Sequence, residues 1–533
     1  MKLRLLYSLF LLTFLLLLNS CARRGRPTGG EKDVTAPIMI TAEPHHESVK
    51  FNSEKIRLNF NEYIKLKDLN KQLVISPPME NQPTITPVGT ASKFINIKIL
   101  DTLKENTTYT FNFGNSVEDN NESNPLERFK YVFSTGDYID SLKVYGTVAD
   151  AYNQKADENI SIMLYEVTED YTDSIIFKER PNYVANTLDS IGYELTNLKE
   201  GKYLIVALND YANNYTYDPK QDKIGFHSDF ITLPNDSIVD ITLFKEELPF
   251  KLMRASEVNK GHIYFGYEGD PRDLKIDLIS DKPKDFKSTL VFESDKDSVS
   301  YWFTPFEADS LQFQVTHNEL KQDVVVKLRS KEIDSLIVDR SIRGNLNLQD
   351  TIAIVTNIPI QNVDKSKITI LDKDSVEVKF TTYLDTSKKN LKLNFDKKYD
   401  HQYKFNLLPN AIEDIFGNVN DTLNFGTTTK HPDDYGVINI SLQNIESYPI
   451  ILELLDKDYK VVRTAYSTNE VSFKFENLDP QNYIARVIYD SNKNRKWDSG
   501  DFLSRKKPEK IIYYNVVMEL RVNWELNESF NLK

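Results

Sequence analysis

The residues best suited to chemistry lie in one loop near the C-terminal end of the chain, "DSNKNRKWDSGD" (490–501). Read as a twelve-residue loop of oxygen ligands, it has residues able to bind calcium at five ligand positions: Asp490, Asn492, Asn494, Asp498 and Asp501. Arg495 takes the sixth position, where a glycine usually allows the sharp turn, and the last position is Asp instead of the usual Glu. The loop therefore predicts a calcium site. The alternative is a hairpin loop closed by its own Asp and Asn side chains.

The same pattern occurs earlier in the chain, because "NLKEGKYLIVALNDYANNYTYDPKQDKIGF" (197–226) matches "NLDPQNYIARVIYDSNKNRKWDSGDFL" (477–503). In both segments an Asp is followed by Asn four residues later, by an aromatic residue seven later and by Asp eight later. The matching residues are Asp210, Asn214, Tyr217 and Asp218, and Asp490, Asn494, Trp497 and Asp498. The fixed offsets predict two copies of one module. Ala212 makes the first copy the poorer calcium loop.

Motifs for catalysis are missing from the sequence. It has no G-x-S-x-G, H-E-x-x-H, P-loop or dinucleotide-binding pattern, and its seven histidines are dispersed. The acidic pair Glu118 and Asp119 falls in a predicted turn, where solvation is a better explanation than acid–base chemistry. We therefore expect no enzyme activity, no required cofactor and no small-molecule substrate. A hydrolase with a site assembled across domains is the weaker alternative.

Cys21 is the only cysteine, which excludes intramolecular disulfides and Cys-rich metal sites. It follows a basic start and the apolar run Leu5–Leu18, in the order of a secretory signal peptide and shorter than the roughly 20 residues that span a membrane. The residues "LNSC" (18–21) resemble the bacterial lipobox. This resemblance implies cleavage before Cys21, acylation of Cys21, as with palmitate, and anchoring in the outer membrane. The alternative is an ordinary signal peptide.

Asp-Ser/Thr-aliphatic tripeptides occur eleven times, against roughly two or three expected from ordinary composition. The tripeptide resembles the O-glycosylation sequon of Bacteroidota, and the resemblance implies glycans after export. The candidate positions are Thr102, Ser141, Ser174, Ser190, Ser237, Ser298, Ser310, Ser335, Thr351, Ser375 and Thr422. The alternative is that Asp-Ser is simply favourable where a turn leads into a strand.

The net charge of −13 argues against a nucleic-acid partner, because phosphate binding needs a basic surface. The only cationic cluster, Arg23, Arg24 and Arg26, lies beside the predicted lipid in a Gly- and Pro-rich tether (21–36). Surface-exported lipoproteins of Bacteroidota resemble one another in carrying acidic residues directly after the cysteine. The arginines found here favour the periplasmic side, and the cell-surface side is the alternative.

The elements that must position these residues are short strands. Runs such as "KIRLNF", "FINIKIL" and "YTFNF" alternate apolar and polar residues between Asn, Asp, Gly and Pro. This pattern predicts an all-β chain of antiparallel, Ig-like β-sandwich domains in a row with very little helix. The best helical candidate is "KLKDLNKQL" (65–73), which ends before "SPP".

Two pairs of repeated segments resemble known domain families. One pair is new, and the other contains the Asp-Asn loops described above. The stretch "TAPIMITAEPHHESVKFNSEKIRLNFNEYIKL" (35–66), with "TYTFNFGNSVEDNNESNPLERFKYVFST" (108–135), resembles the bacterial Ig-like domain of S-layer and surface proteins. "QYKFNLLPNAIEDIFGNVNDTLNFGTT" (402–428) carries the same pattern more weakly. The segments with the Asp-Asn loops resemble the carboxypeptidase-regulatory-like, transthyretin-like sandwich, which implies a structural or adhesive module.

These patterns predict seven segments. They are a signal peptide (1–20), a tether (21–36), an Ig-like domain (37–138), a transthyretin-like sandwich (139–246), a further β-sandwich (247–333), a second Ig-like domain (334–429) and a second transthyretin-like sandwich (430–533).

The segment from "CARRGRPTGGEKD" to "FNEYIKLKDLNKQLVISPP" (21–78), taken as a whole, resembles a group of Bacteroidota outer-membrane lipoproteins. The resemblance implies a non-enzymatic scaffold or accessory subunit of an outer-membrane protein complex, with the β-barrel assembly machinery as one candidate partner. The alternative is a glycan-binding or adhesive surface lipoprotein, since aromatic residues make up 11% of the chain. Exposure of Trp302 or Trp497 would favour that alternative, and burial of both would oppose it.

Overall fold

The computed structural model describes residues 32–293 and 296–533. It is 48% strand and 3% helix, with mostly antiparallel sheets, so the predicted all-β class of tandem Ig-like sandwiches is confirmed. The predicted signal peptide, Cys21 and most of the tether lie outside the described residues. Among the residues that the structure does describe, none belongs to a helix with the length and apolar character needed to cross a membrane.

The described chain divides into two compact units. The first takes the residues up to Tyr145, with Pro181–Lys202 and Thr232–Ser237. The second takes Gly146–Arg180, Tyr203–Ile231 and Ile238–Lys533. The segment predicted as one transthyretin-like sandwich (139–246) therefore contributes residues to both units.

The first unit contains a sandwich of short strands. They are β1 (Met39–Glu43), β2 (Lys55–Leu66), β3 (Val74–Ser76), β4 (Thr84–Thr86), β5 (Ser92–Lys98), β6 (Thr108–Gly114), β7 (Val117–Asp119) and β8 (Phe129–Ser134). One sheet has the order β1-β2-β5-β4 with β7 also on β2, and the other has the order β3-β6-β8. Leu58 and Ile95 from the first sheet share a core with Phe111 and Phe133 from the second, all of them fully buried.

The predicted helix over 65–73 is mostly wrong. The observed helix α1 covers only Leu69–Gln72, and Lys65 and Leu66 complete β2. Alternation of buried and exposed residues continues to the end of β2, since Ile64 and Leu66 are buried while Lys65 is exposed. The period of two therefore outweighs local helix propensity at the start of this segment.

Eight strands follow between residues 142 and 243. They are β9 (Leu142–Asp150), β10 (Ser161–Glu166), β11 (Tyr183–Asn186), β12 (Gly192–Leu198), β13 (Gly201–Asn209), β14 (Lys223–Phe226), β15 (Ile231–Leu233) and β16 (Ile241–Leu243), with a 3₁₀ helix at Asp173–Phe177. Strands β10, β13 and β14 are antiparallel neighbours. Strand β16, the last of the group, pairs in parallel with β9, the first.

The second unit continues with two further stretches. The first has β17 (Lys251–Asn259), β18 (His262–Glu268), β19 (Lys275–Leu278), β20 (Ser288–Phe292), β21 (Ser298–Phe303), β22 (Ser310–His317) and β23 (Leu320–Lys327). The second has β24 (Val338–Arg340), β25 (Ile352–Thr356), β26 (Ile360–Val363), β27 (Ile368–Asp372), β28 (Phe380–Leu384), β29 (Asn390–Phe395), β30 (Gln402–Leu407), β31 (Ile412–Asp414) and β32 (Leu423–Thr428), with a 3₁₀ helix at Lys365–Lys367. Each stretch buries its own apolar cluster.

The final stretch follows a 3₁₀ helix at Pro432–Asp434. Its strands are β33 (Gly436–Gln443), β34 (Ile450–Leu455), β35 (Val461–Ser467), β36 (Ser472–Leu478), β37 (Asn482–Tyr489), β38 (Ile511–Tyr513), β39 (Met518–Glu519) and β40 (Glu525–Asn531). Strands β34, β37 and β38 are antiparallel neighbours, and the last strand β40 pairs in parallel with the first strand β33. This topology repeats that of β9, β10, β13, β14 and β16.

Each of the two predicted Ig-like stretches contains an equivalent hydrogen bond to a tyrosine hydroxyl. In the first unit, the backbone N–H of Lys104 donates to the hydroxyl of Tyr109, 2.9 Å away. In the second unit, the N–H of Lys398 donates to the hydroxyl of Tyr403, 2.8 Å away and at the same separation of five residues. A tyrosine that ties a strand to the backbone just upstream is typical of Ig-like sandwiches.

Candidate functional site

The two repeated Asp-Asn loops, after β13 and after β37, have the same turn. A carboxylate oxygen of Asp210 accepts from the N–H of Tyr215 at 2.6 Å, and one of Asp490 accepts from the N–H of Arg495 at 2.9 Å. Tyr215 and Arg495 both have left-handed backbones, with φ of 62° and 66°. The matched offsets in the sequence therefore encode one loop conformation used twice.

A second, buried carboxylate closes each loop, and the sequence did not reveal it. Asp222 accepts from the N–H groups of Tyr211 and Asp218 at 2.9 and 2.8 Å. Glu509 accepts from the N–H groups of Ser491 and Asp498 at 2.7 and 3.2 Å, which are the equivalent positions. The two acids are 1% and 7% exposed. They differ in residue type and in distance along the chain, so a comparison at fixed offsets could not match them.

The predicted calcium ligands are engaged with the protein itself. The carboxylate of Asp490 accepts from the N–H groups of Asn494 and Arg495. The amide of Asn492 donates to Asp498 at 2.6 Å, as does the amide of Asn494, so these three side chains do lie together. Calcium would have to replace several of these hydrogen bonds.

Asp501 has a different hydrogen-bond partner from the other predicted ligands. Its carboxylate accepts from the N–H of Ser504 at 2.7 Å. Within residues 32–293 and 296–533, no three His, Cys, Asp or Glu side chains form a group that could hold a metal. Calcium at this loop stays a prediction that titration can test.

The end of the second loop packs against residues from the first copy, inside the second unit. Phe502 is fully buried, and its ring meets that of Phe226 edge-on at 5.4 Å. The N–H of Phe502 donates to Glu246, whose other carboxylate oxygen accepts from the hydroxyl of Tyr217 at 2.8 Å. Burial raises the pKa of Glu246 above its usual value. Gly500 allows the close approach, because a Cβ there would lie 2.7 Å from Phe244.

The two tryptophans proposed as indicators of glycan binding differ in exposure. Trp302 is 2% exposed and stacks on His262, with ring centroids 3.7 Å apart. Trp497 is half-buried, and its indole N–H donates to the carbonyl of Glu509 at 2.9 Å. Trp302 therefore opposes the adhesive alternative, while Trp497 keeps it open.

His262 forms a buried polar cluster with Ser300 and Glu293. Its Nε2 lies 3.0 Å from the hydroxyl of Ser300, which donates to Glu293 at 2.6 Å. Burial, followed by the positive charge of Lys389, lowers the pKa of His262 to about 4. The serine bonds to both partners in this cluster, so the histidine does not bridge serine and acid as it does in a catalytic triad.

The prediction that Glu118 and Asp119 lie in a solvated turn is wrong. Both are buried in β7, at 9% and 2% exposure. Burial raises the pKa of the Asp119 carboxyl, but hydrogen bonds from the N–H groups of Glu122 and Asn124 outweigh it, and the pKa lies below its usual value. Asp119 thus acts as a structural acceptor within the hairpin.

The predicted glycosylation positions are mostly accessible. Eight are exposed: Thr102, Ser141, Ser190, Ser310, Ser335, Thr351, Ser375 and Thr422. Ser174 and Ser237 are half-buried, and Ser298 is buried with its hydroxyl lacking a hydrogen-bond partner among the described residues. Several of these positions, such as Ser310, Thr351 and Thr422, start or directly precede a strand, as the turn-to-strand alternative expects.

Comparison with known protein families matches one segment of the chain. Residues 33–135, which contain β1–β8, match the family model described as bacterial Ig-like domain. No curated protein matches the sequence.

Similar solved structures include the S-layer protein rSbsC, at 12% identity and a TM-score of 0.14 over 91% of this chain and 68% of that one. The major pilin subunit BcpA of Bacillus cereus is 11% identical over 73% of this chain and 98% of that one, with a TM-score of 0.14. The Bacillus anthracis TIE protein is 10% identical over 95% and 76%, with a TM-score of 0.15. TM-scores this low do not establish a common arrangement of the chains.

Proposed function

We propose, on the premise that residues 33–135 are a bacterial Ig-like domain, that this protein is a non-enzymatic, lipid-anchored scaffold or accessory subunit of an outer-membrane protein complex. The observation that carries the proposal is the order of the chain. A lipobox-like "LNSC" with Cys21 precedes a short tether, and a bacterial Ig-like domain follows at once. In this proposal, Cys21 carries the acyl chains that hold the β-modules at the membrane.

The β-modules suit binding by surface and by strand edge. Strand β23 is the last strand of its sheet, and Val325 on it is 62% exposed. The proposed partners are envelope or outer-membrane proteins, among them the machinery that inserts β-barrel proteins. We propose the periplasmic face, from the arginines after Cys21.

Pull-down of the tagged protein from solubilised membranes tests this function. The wild-type protein should recover one or more outer-membrane proteins. In cell fractionation, the Cys21→Ala variant, which lacks the anchor, should be found in the soluble fraction. Recovery of no membrane protein above background would contradict the scaffold role. A Cys21→Ala variant that stays in the membrane would contradict the anchor.

The adhesive alternative has one observation in its favour, the half-buried Trp497 beside a cavity. Binding of intact cells to glycan surfaces, lost after protease shaving of the cells, would favour it over the scaffold role.

A further inference from the structure

A cavity of about 570 Å³ in the second unit lies beside the second Asp-Asn loop. Its wall combines residues after β9, the residues around Phe244, and Arg495 to Trp497 of the loop. Small-molecule sites usually enclose ~300–1,000 Å³, so the space suits a ligand of one or two rings.

Two ion pairs make part of this wall rigid. Lys223 lies 2.6 Å from Asp150, and Arg486 lies 2.7 Å from Glu453. The side chain of Arg486 is 3% exposed, and its guanidinium lies over the ring of Tyr152, 4.4 Å from the ring centroid. Lys223 also lies 2.7 Å from Asp157. Lys223 and Arg486 are therefore both paired with carboxylates, and the remaining basic residues decide the net charge of the wall.

Lys245 and Arg495 add positive charge to a wall that has five basic side chains and two carboxylates. The carboxylates of Asp222, Asp218 and Glu246 offset part of the charge of Lys245. Neither forms an ion pair with any residue in the described ranges. The Nζ of Lys245 donates to the backbone carbonyl of Asp222 at 3.0 Å, and Arg495 lies over the ring of Tyr466 at 4.7 Å. Lys496 adds a third cation, with Asp498 at 3.4 Å and Glu247 at 3.7 Å. On a chain with a net charge of −13, this local positive surface indicates an anionic ligand.

Trp497 gives the same wall an apolar ring in a fixed position. Its N–H bond to Glu509 and its contact with Tyr152, at 4.9 Å between ring centroids, hold the indole in place. Phe244 and Ile488 extend the apolar part of the wall. An aromatic ring beside hydrogen-bonding groups is the usual means of holding the apolar face of a sugar ring.

We propose that this cavity binds an acidic sugar, whose carboxylate contacts Lys245 and Arg495 and whose ring lies on Trp497. Asn153 and the carboxylate of Glu453 are the wall groups able to contact the sugar hydroxyls. The proposal names a site and a ligand class that the scaffold function does not require, so either can fail without the other.

The loop offers a matched pair of variants for the test. Arg495 and Lys493 both have left-handed backbones, with φ of 66° and 65°, and only Arg495 lines the cavity. Glycine accepts this conformation without strain, so Arg495→Gly and Lys493→Gly each remove one positive charge while keeping the turn.

The full chain in detergent is titrated by calorimetry with digalacturonate, with its neutral methyl ester and with inorganic phosphate. Wild type should bind digalacturonate at least tenfold more tightly than either control ligand. Arg495→Gly should lose most of this preference, and Lys493→Gly should keep it.

Equal binding of the methyl ester would overturn the role of the carboxylate, and equal binding of phosphate would overturn recognition of the sugar. Equal affinities of the two glycine variants for digalacturonate would overturn the site, as would the absence of binding to wild type. Unfolding of both variants by urea, compared with wild type, verifies that each remains folded.

Discussion

The imidazole of His262 lies in an environment that disfavours its protonated form. It is stacked on Trp302, and Tyr264 meets it edge-on at 4.8 Å. Burial and Lys389 lower its pKa to about 4, while Glu293 and Asp334 act in the opposite direction. The folded protein therefore favours the neutral ring, and unfolding is accompanied by proton uptake below the ordinary pKa of 6.5.

The free energy of unfolding of the second unit should consequently decrease as the pH is lowered. The contribution of His262 is complete above pH ~6.5 and is lost as the pH falls towards 4, by about 3 kcal/mol in total. Urea unfolding at pH 7, 5.5 and 4 measures this loss. His262→Phe keeps the stacked ring without the titrating group, so its free energy of unfolding should fall less over the same range. Parallel curves for the two proteins would contradict the assignment.

Glu509 is the second residue whose role can be measured alone. Glu509→Gln keeps the shape of the side chain but leaves one of its two backbone N–H partners without an acceptor. We expect a loss of about 1–3 kcal/mol in the free energy of unfolding. Asp222→Asn should give a similar loss at the equivalent place in the first loop.

The control for Glu509→Gln is Glu519→Gln, at a surface carboxylate whose pair with Arg521 is exposed on both sides. Exposed pairs contribute little, so that variant should be close to neutral. Equal effects of Glu509→Gln and Glu519→Gln would refute a closing role for Glu509.

At the scale of elements, the second loop is a docking segment as well as a turn. Gly500→Ala places a Cβ at 2.7 Å from both the ring of Phe244 and the carbonyl of Lys506. Phe502 should then lose part of its packing on Phe226, at a cost of about 1–3 kcal/mol in unfolding free energy. Gly426→Ala is the control, because its nearest contact, at 3.5 Å, is ordinary packing distance. A Gly500→Ala variant as stable as Gly426→Ala would contradict docking.

The elements that the sequence predicts well are those with a local pattern. The alternation of apolar and polar residues in the sequences of β2 and β6 and the fixed offsets from Asp210 and Asp490 all depend on neighbours within a few residues. The prediction for Glu118 and Asp119 failed because it depended on tertiary burial. Glu118 and Asp119 read as turn residues because nothing in their own segment shows that β7 pairs with β2 and is buried there.

The candidate site could be predicted only in part, for the same reason. The loop residues around Trp497 were visible in the sequence, but Lys245 and Arg486 were not. Lys245 lies more than two hundred residues from the loop, and Arg486 lies within an apolar strand. Packing of separate stretches within the second unit brings them to one cavity, and no spacing in the sequence records that packing.

At the scale of the whole molecule, solvent accessibility decides which Asp-Ser/Thr positions could be glycosylated after export. If the Asp-Ser/Thr tripeptides are glycosylated, intact-protein and peptide mass spectrometry should find hexose-containing modifications at the eight exposed positions. Ser298 should remain unmodified, because its hydroxyl is buried within β21. Modification at Ser298 in the folded protein, or at none of the exposed positions, would contradict this prediction.

The two closing acids lie at different distances along the chain from their loops. Asp222 lies four residues after Asp218, whereas Glu509 lies eleven residues after Asp498. The extra length includes Gly500 and Phe502, which make the contacts with Phe244 and Phe226. The longer interval between two equivalent hydrogen-bonding points thus lets the second copy pack against the first. Lengthening the equivalent interval between Asp218 and Asp222 would be the natural place to graft a new binding loop onto this scaffold.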